Sequence, residues 1–145
     1  MDLLTELRQR LADWGVHCVL AMPNLKLPRL TQSGVFLGIL ESVMTPRFAG
    51  NLLYLDGIHN PSHAVQAETT VFFDIYTPYR LGAPACQQMR AKVRNALLTA
   101  FTYYTVQNLT CGSCYYDPKS DYFRCRITLK IQTWMSLDEK DGGLT

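Results

Sequence analysis

The residues best suited to chemistry are cysteines, and the chain has five of them. Cys111 and Cys114 have the CxxC spacing of redox motifs and of zinc sites. A redox pair needs its first cysteine at a helix start, where the thiolate is stabilised, whereas this pair falls in or near a predicted strand. A zinc site needs four ligands, so Cys125 and a histidine would have to complete it. An isolated CxxC is weak support for either, and the sequence favours structural thiols.

The histidines form the second candidate group. His59 and His63 have a spacing that puts two metal ligands on one helical face, but Pro61 lies between them and argues against a helix. A solvated loop is the favoured interpretation. No nucleophile motif, phosphate-binding glycine loop, HExxH motif or paired carboxylate occurs, and the acidic residues are few and dispersed. We therefore predict a protein that is not an enzyme, with no catalytic residue, no metal and no cofactor.

The composition indicates a small domain with a shared surface. A chain of 145 residues fits one compact domain, predicted over residues 1–135, with a polar and flexible tail at 136–145. Charged residues make up 18%, below the roughly 25% of an average soluble protein, while hydrophobic types reach 48%. A surface so poor in charge indicates contact with other subunits. The net charge of +2 is too small to indicate nucleic-acid binding.

The cysteines are odd in number and scattered along the chain, which favours reduced thiols and therefore synthesis in a reducing cytoplasm. The N-terminus carries Asp2 and Glu6 rather than a basic segment followed by an apolar run, so no signal peptide is visible. No window approaches the roughly 18 consecutive apolar residues that a membrane span requires. We expect no membrane partner.

The clearest structural signal is a strand at Thr69–Tyr76 followed by a helix from near Pro84 to Leu98. A period of two gives the strand one face with Thr69, Val71, Phe73 and Ile75 and another with Thr70, Phe72, Asp74 and Tyr76. The helix has an apolar stripe of Cys86, Met89, Val93, Ala96 and Leu97, with Gln87, Arg90 and Arg94 placed on the other side. The stripe should pack on the apolar face of the strand, after a turn at Gly82.

The remaining segments predict an α+β fold. We expect a helix at Asp2–Trp14, strands at Val16–Met22, Val35–Val43 and Asn51–Leu55, a mobile connection at Thr45–Arg47 and a loop at Ile58–Gln66. The strand at Val35–Val43 shows little alternation, which indicates cover on both faces. This order of elements is typical of a mixed, mostly antiparallel sheet with the helices packed on one face and a closing β-hairpin.

The closing hairpin carries the main candidate surface. Its turn is predicted at Asp117–Asp121, and the returning strand alternates between an apolar face and a basic one. Basic and tyrosine side chains near this turn could form a subunit interface, an ordinary surface or a nucleic-acid platform; the first is favoured because Tyr and Arg are enriched at interfaces. The candidate interface residues are Arg90, Arg94, Tyr115, Tyr116, Tyr122, Arg124 and Arg126.

Three segments together resemble a known family. The strand Val71–Tyr76, the helix Cys86–Leu98 and the hairpin Tyr115–Ile131 resemble the tail terminator and tail-completion (head–tail joining) proteins of long-tailed bacteriophages and phage-derived tail particles. The likeness is one of pattern and covers Thr69–Trp134 best. It implies a small α+β subunit that assembles into a homo-hexameric ring.

The resemblance also implies a function. Such a ring caps the head-proximal end of the tail tube, stops its polymerisation and presents a surface to the neck. The implied partners are other copies of the chain, the tube protein, the sheath protein where a tail has one, and the head–tail connector, but no sequence-specific nucleic acid. The protein would be made in the bacterial cytoplasm and assembled into a virion or tail particle. The alternatives are a head–tail connector, adaptor or minor capsid subunit, and a small nucleic-acid-binding module.

Overall fold

The fold combines two helices with one sheet in the part of the chain that the computed structural model describes, residues 3–21, 29–47, 64–99 and 105–136. The elements are α1 (Leu3–Asp13), β1 (Cys18–Leu20), β2 (Gly34–Arg47), β3 (Ala64–Pro78), a 3₁₀ turn (Tyr79–Leu81), α2 (Gly82–Leu98), β4 (Thr105–Cys111), β5 (Tyr115–Asp117) and β6 (Tyr122–Ser136). The predicted α+β class is therefore confirmed.

The sheet is mixed and mostly antiparallel, as predicted. Its strand order is β1-β2-β3-β6-β4, and β5 pairs with β6 beyond the end of β4. Only the pairing of β1 with β2 is parallel among the described strands. The two longest strands, β3 and β6, lie side by side at the centre, so every other element is positioned by its contact with them or with β2.

The predicted strand and helix at the centre are present, and both are longer than expected. The three large apolar residues predicted to face the core, Val71, Phe73 and Ile75, are fully buried. Helix α2 begins at Gly82, whose φ of +81° is the left-handed conformation that glycine adopts most readily. Its stripe contributes Cys86, Val93, Ala96 and Leu97 to the same core. The strand–turn–helix unit therefore forms as its pattern predicts.

Helix α1 packs by its leucines. Leu7 and Leu11 are completely buried, and Leu3 and Leu4 pack partly against the core. Trp14, the last residue of the predicted helix Asp2–Trp14, lies beyond the last helical residue and is 42% exposed. The cause is Gly15, whose φ of +78° turns the chain toward β1.

The predicted boundaries around β2 and β3 are wrong. Thr45–Arg47 is not a connection: it is the end of β2 and pairs with the start of β3, where Pro46 lies opposite Val65. Proline is tolerated in an edge strand because its missing N–H can face away from the partner. Strand β3 begins at Ala64, so the end of the predicted loop Ile58–Gln66 is also extended. The two strands together form a long antiparallel pair.

Some predictions lie outside the described residues. These are the strand Asn51–Leu55, His59, His63 and the tail beyond Ser136. Ser136 itself is the last residue of β6, so the ordered strand extends one residue past the predicted domain boundary.

Candidate functional site

The basic face of β6 is neutralised from within the chain. Arg126 forms a bidentate ion pair with Asp74 on the neighbouring strand, with N–O distances of 2.6 and 2.9 Å. Its guanidinium also lies over the Phe72 ring, 4.5 Å from the centroid. Two side chains of β3 thus hold the Arg126 side chain in one orientation, which limits its freedom to reach another molecule.

The other two cations of this face are paired in the same way. Arg124 donates to Asp117 at 3.0 Å and lies 4.4 Å from the centre of the Tyr76 ring. The hydrogen bond from Arg124 lowers the pKa of the Asp117 carboxyl. Lys130 approaches Glu68 at 3.5 Å. Each of the three cations therefore has its own carboxylate, and the face has no net positive charge.

The tyrosines predicted at the interface have different environments. Tyr122 is partly buried, and its hydroxyl accepts a hydrogen bond from the Leu30 N–H at 3.0 Å, which ties the segment before β2 to the sheet. Tyr115 is 53% exposed and lies opposite Arg124. Tyr116 projects from the other side of the hairpin. It is therefore only Tyr115 that combines wide exposure with the basic face.

Tyr116 belongs to a separate aromatic cluster beside the 3₁₀ turn. Its ring lies 5.3 Å from that of Tyr79 and 5.6 Å from that of Phe123, and the last two rings are stacked. Its hydroxyl donates to Asp121 at 2.7 Å, and this bond raises the pKa of the tyrosine. The cluster stabilises the hairpin tip against the start of α2.

The two helix arginines also lie apart from the basic strand face, because α2 packs on the opposite face of the sheet. Arg94 donates to the neighbouring Asn95 side chain at 3.2 Å. Arg90 was expected on the exposed side of the helix, but its Nε is buried and has no hydrogen-bond partner among the described residues. The seven candidate interface residues therefore do not form one surface.

Arg90 instead accompanies a cluster of thiols. The sulfur atoms of Cys86, Cys114 and Cys125 all lie within 4.8 Å of one another, and the Cys86 and Cys125 Sγ atoms are 3.9 Å apart. Cys111, the other half of the CxxC pair, packs partly against the core and is not in this group. The CxxC spacing thus includes one member of the cluster, Cys114, and one cysteine outside it, Cys111.

Three elements build this thiol cluster. Cys86 lies on the buried stripe of α2, and Cys125 lies on the buried face of β6. Cys114 comes just before β5, in which Tyr115 pairs with Arg124. The next position in the same register places Cys114 beside Cys125. The cluster therefore depends on the packing of α2 over the hairpin.

The cluster is electrostatically unusual. The hydrogen bond with Cys125 lowers the pKa of the Cys86 thiol to about 6, and the charge of Arg90 acts in the same direction. Hydrogen bonding to Cys86 raises the pKa of Cys125, and burial raises that of Cys114. Hydrogen bonding within the cluster therefore favours the thiolate of Cys86 over those of Cys114 and Cys125.

Strand β2 presents the main exposed apolar feature. We define the β2 apolar segment as Ile39, Leu40, Val43 and Met44, which are 48%, 48%, 49% and 58% exposed. The described residues therefore do not provide the expected cover on both faces. Strand β1 pairs only with the first part of β2, as far as Leu37, so within the described residues the rest of β2 is an edge of the sheet.

A groove lies next to this segment. It has a volume of about 230 Å³ and is lined by Leu3, Leu4, Thr5, Arg8, Leu20 and Ile39. Most of its lining is apolar, and Ile39 belongs both to the groove and to the β2 apolar segment. An incoming apolar side chain could therefore contact helix α1 and the strand edge together.

Comparison with protein-family models gives no match, and comparison with curated proteins gives none either. No helix in the described part of the chain is long and apolar enough to cross a membrane.

Proposed function

We propose that this chain is a non-enzymatic structural subunit of a long-tailed bacteriophage or phage-derived tail particle, a tail terminator-like protein that forms a homo-hexameric ring. The ring would cap the head-proximal end of the tail tube, stop its polymerisation and join it to the head or neck. The observation that carries this proposal is the β2 apolar segment, because none of the described residues covers it and a neighbouring subunit would.

The segment combines two features that favour assembly. Beyond Leu37 the strand presents an unpaired edge among the described residues, and its large side chains remain about half exposed. An exposed apolar edge strand promotes uncontrolled association unless another chain covers it. Burial of four such side chains at a subunit contact would remove that liability and contribute to association, at roughly 25 cal/mol per Å² of apolar surface.

A ring requires a contact between two different surfaces of adjacent copies, and the sheet offers two different edges. The β2 apolar segment lies at one edge of the sheet, and the described part of β4 lies at the other end of the strand order. A contact between two different surfaces of adjacent copies is heterologous, so it repeats around a ring when the rotation closes. The proposal therefore places the segment of one copy against a different surface of the next.

The internal neutralisation of β6 disfavours the nucleic-acid alternative. Binding to a phosphate backbone requires cations that can exchange salt ions for phosphates. Here Arg124, Arg126 and Lys130 already pair with Asp117, Asp74 and Glu68. A structural role remains the better account of this face, because its cross-strand pairs stabilise the sheet.

The proposed mechanism is steric. A ring matched to the symmetry of the last tube layer covers the growing end, and its opposite face binds the next component of the neck. A connector, adaptor or minor capsid subunit would also assemble with itself, but it would not bind the open end of the tube. The effect on tube growth therefore separates the terminator from these alternatives.

The test is tube polymerisation in vitro with the tube protein of the same particle. Tubes grown with the wild-type chain should be short and capped at one end by electron microscopy, whereas tubes grown alone should be long and variable. An Ile39→Lys/Met44→Lys variant should leave the tubes long. Leu98→Lys is the matched control, since Leu98 is 55% exposed on a different element. Tubes of unchanged length with the wild-type chain would overturn the terminator proposal.

A further inference from the structure

We propose that Cys86, Cys114 and Cys125 form a binding site for one soft metal ion, held by three thiolate ligands, with monovalent copper as the ion that suits the site best. The three side chains come from α2, the segment before β5, and β6. The proposed metal site does not depend on the proposed ring, because the thiol cluster and the β2 apolar segment share no residue.

The distances fit a shared metal. A metal–sulfur bond of about 2.3 Å places two sulfur ligands about 3.8 Å apart at a tetrahedral angle and about 4.0 Å apart at 120°. The Cys86 and Cys125 Sγ atoms are 3.9 Å apart, and every pair in the cluster lies within 4.8 Å. A small side-chain rotation of Cys114 would complete a three-coordinate site without moving the backbone.

The donor set selects the kind of metal. Thiolate ligands favour soft ions such as Cu(I), while structural zinc sites almost always have four ligands. Within the described residues, no histidine or carboxylate joins the three sulfur atoms. Three thiolates without a fourth donor match the low coordination number of Cu(I) better than the tetrahedral preference of zinc.

Neighbouring groups supply the charge and the orientation that such a site requires. Three thiolates carry three negative charges, so one Cu(I) and the Arg90 guanidinium leave a net charge of −1. The buried Arg90 Nε has no described partner, and its charge acts on both Cys86 and Cys114. The buried Thr77 hydroxyl hydrogen-bonds Cys86 and pairs with Ser33 Oγ at 2.8 Å. Such outer contacts orient metal ligands and tune their affinity.

Coordination would proceed without a change of oxidation state. Each thiol that binds as a thiolate releases one proton to solvent, and the metal remains Cu(I) throughout. The site therefore requires reduced cysteines, in agreement with the five free cysteines of the structure.

The test uses the full-length, reduced protein under anaerobic conditions, titrated with Cu(I) against a chromophoric Cu(I) chelator. The wild-type chain should withhold one Cu(I) per chain from the chelator. Changes to groups around a metal site already cost about 10–100-fold in affinity, so Cys86→Ser, Cys114→Ser and Cys125→Ser should each weaken binding by more than about 100-fold. Arg90→Gln should weaken it by about tenfold.

Cys111→Ser is the decisive control, because a CxxC site would need Cys111 and the three-thiol site does not. It should retain the wild-type affinity, as should Cys18→Ser. Cys114 is partly exposed and lies between strands, so its serine variant should keep the circular dichroism spectrum of the wild type even where the two buried positions do not. Failure of the wild type to compete with the chelator would overturn the proposal, as would equal losses in Cys111→Ser and Cys114→Ser.

Discussion

Two neighbouring strands with similar apolar content have different environments. In β3, Val71, Phe73 and Ile75 are completely buried beneath the helices. In β2, the β2 apolar segment is about half exposed, although the segment pairs directly with β3. The pairing supplies hydrogen-bond partners to one backbone edge of β2, and within the described part of the chain its apolar side chains have no further cover.

An apolar pattern predicts that a strand requires cover, but it does not identify the group that provides the cover. The lack of alternation in β2 indicates two covered faces, and the described residues provide less cover than that. For β3 the cover comes from α2 of the same chain. For β2 we propose that it comes from another copy, so substitutions in the two strands should affect different measurements.

The largest effect on folding is expected for Phe73→Ala. Phe73 is fully buried in the core, and truncation of a buried phenylalanine costs about 3–5 kcal/mol through lost burial and the cavity that remains. Denaturant unfolding should show this loss in the free energy of unfolding. Ile39→Ala is the comparison in the β2 apolar segment and should cost much less in the isolated chain. Equal losses would contradict the distinction between the two strands.

A smaller loss is expected for Gly38→Ala, at the point where the β2 apolar segment begins. A Cβ atom there would lie 2.5 Å from the Phe72 Cζ, so the ring would have to move. The ring is restrained because the Arg126 guanidinium lies over it. Overpacking of this kind costs about 1–3 kcal/mol in unfolding free energy. Combining it with Phe72→Leu should recover part of the loss, and strictly additive losses would show that the contact is not the cause.

The ion pair between Asp74 and Arg126 should contribute less than the core. Arg126 has a side chain that is 47% exposed, so solvent screens its bidentate pair with Asp74. We expect Asp74→Asn to cost about 1 kcal/mol in unfolding free energy, with the difference shrinking at high salt. If this face bound nucleic acid, the same change would instead release Arg126 and strengthen binding to a phosphate backbone.

The hairpin turn provides a pH-dependent effect. The pKa of Asp117 is lowered from its ordinary value of 3.8, first by the hydrogen bond from Arg124. Because the folded pKa is the lower one, the stabilisation is present above that ordinary value and is lost as the pH falls through the folded pKa. Unfolding of Asp117→Asn should therefore depend less on pH below about 4 than unfolding of the wild type. Identical pH profiles would show that the pair is absent in solution.

The sequence predicts the central unit well because its signals are local and agree with one another. The alternation of Val71, Phe73 and Ile75, the stripe of α2 and the glycine before it all favour the same packing. The limits of β2 are missed because a proline such as Pro46 commonly marks the end of a strand, whereas here it lies within β2 opposite Val65. An edge strand tolerates a proline.

The thiol cluster could have been predicted in part. Cys86 belongs to the predicted apolar stripe of α2, and Cys125 belongs to the apolar face of the returning strand. Cys114 precedes Asp117 by three residues, and Cys125 follows Tyr122, the partner of Asp117, by three. Arg90 follows Cys86 by four residues, a spacing that places both on one side of a helix. The CxxC spacing indicates Cys111 instead. Cys111 pairs with Ile127 in β4, whereas β5 pairs with β6 in a register that differs by one residue, and the spacing of the two cysteines does not show this change.

The smallest effect on folding, and the largest on assembly, is expected in the β2 apolar segment. Ile39→Lys and Met44→Lys replace side chains that are already about half exposed. Each should change the unfolding free energy of the isolated chain by no more than about 0.5 kcal/mol. Both introduce a charge that would have to be desolvated in a subunit contact. A large loss of stability in the isolated chain would show that the segment is covered by its own chain.

Light scattering of the full-length protein over a concentration series, alone and with tube protein, determines whether the chain forms the proposed ring. We predict a mass of six chains for the wild type and for Leu98→Lys, formed freely or on addition of tube protein, and a single chain for Ile39→Lys/Met44→Lys. A wild-type chain that remains monomeric under both conditions would contradict the ring. A double variant that still forms the ring would contradict the assigned role of the β2 apolar segment.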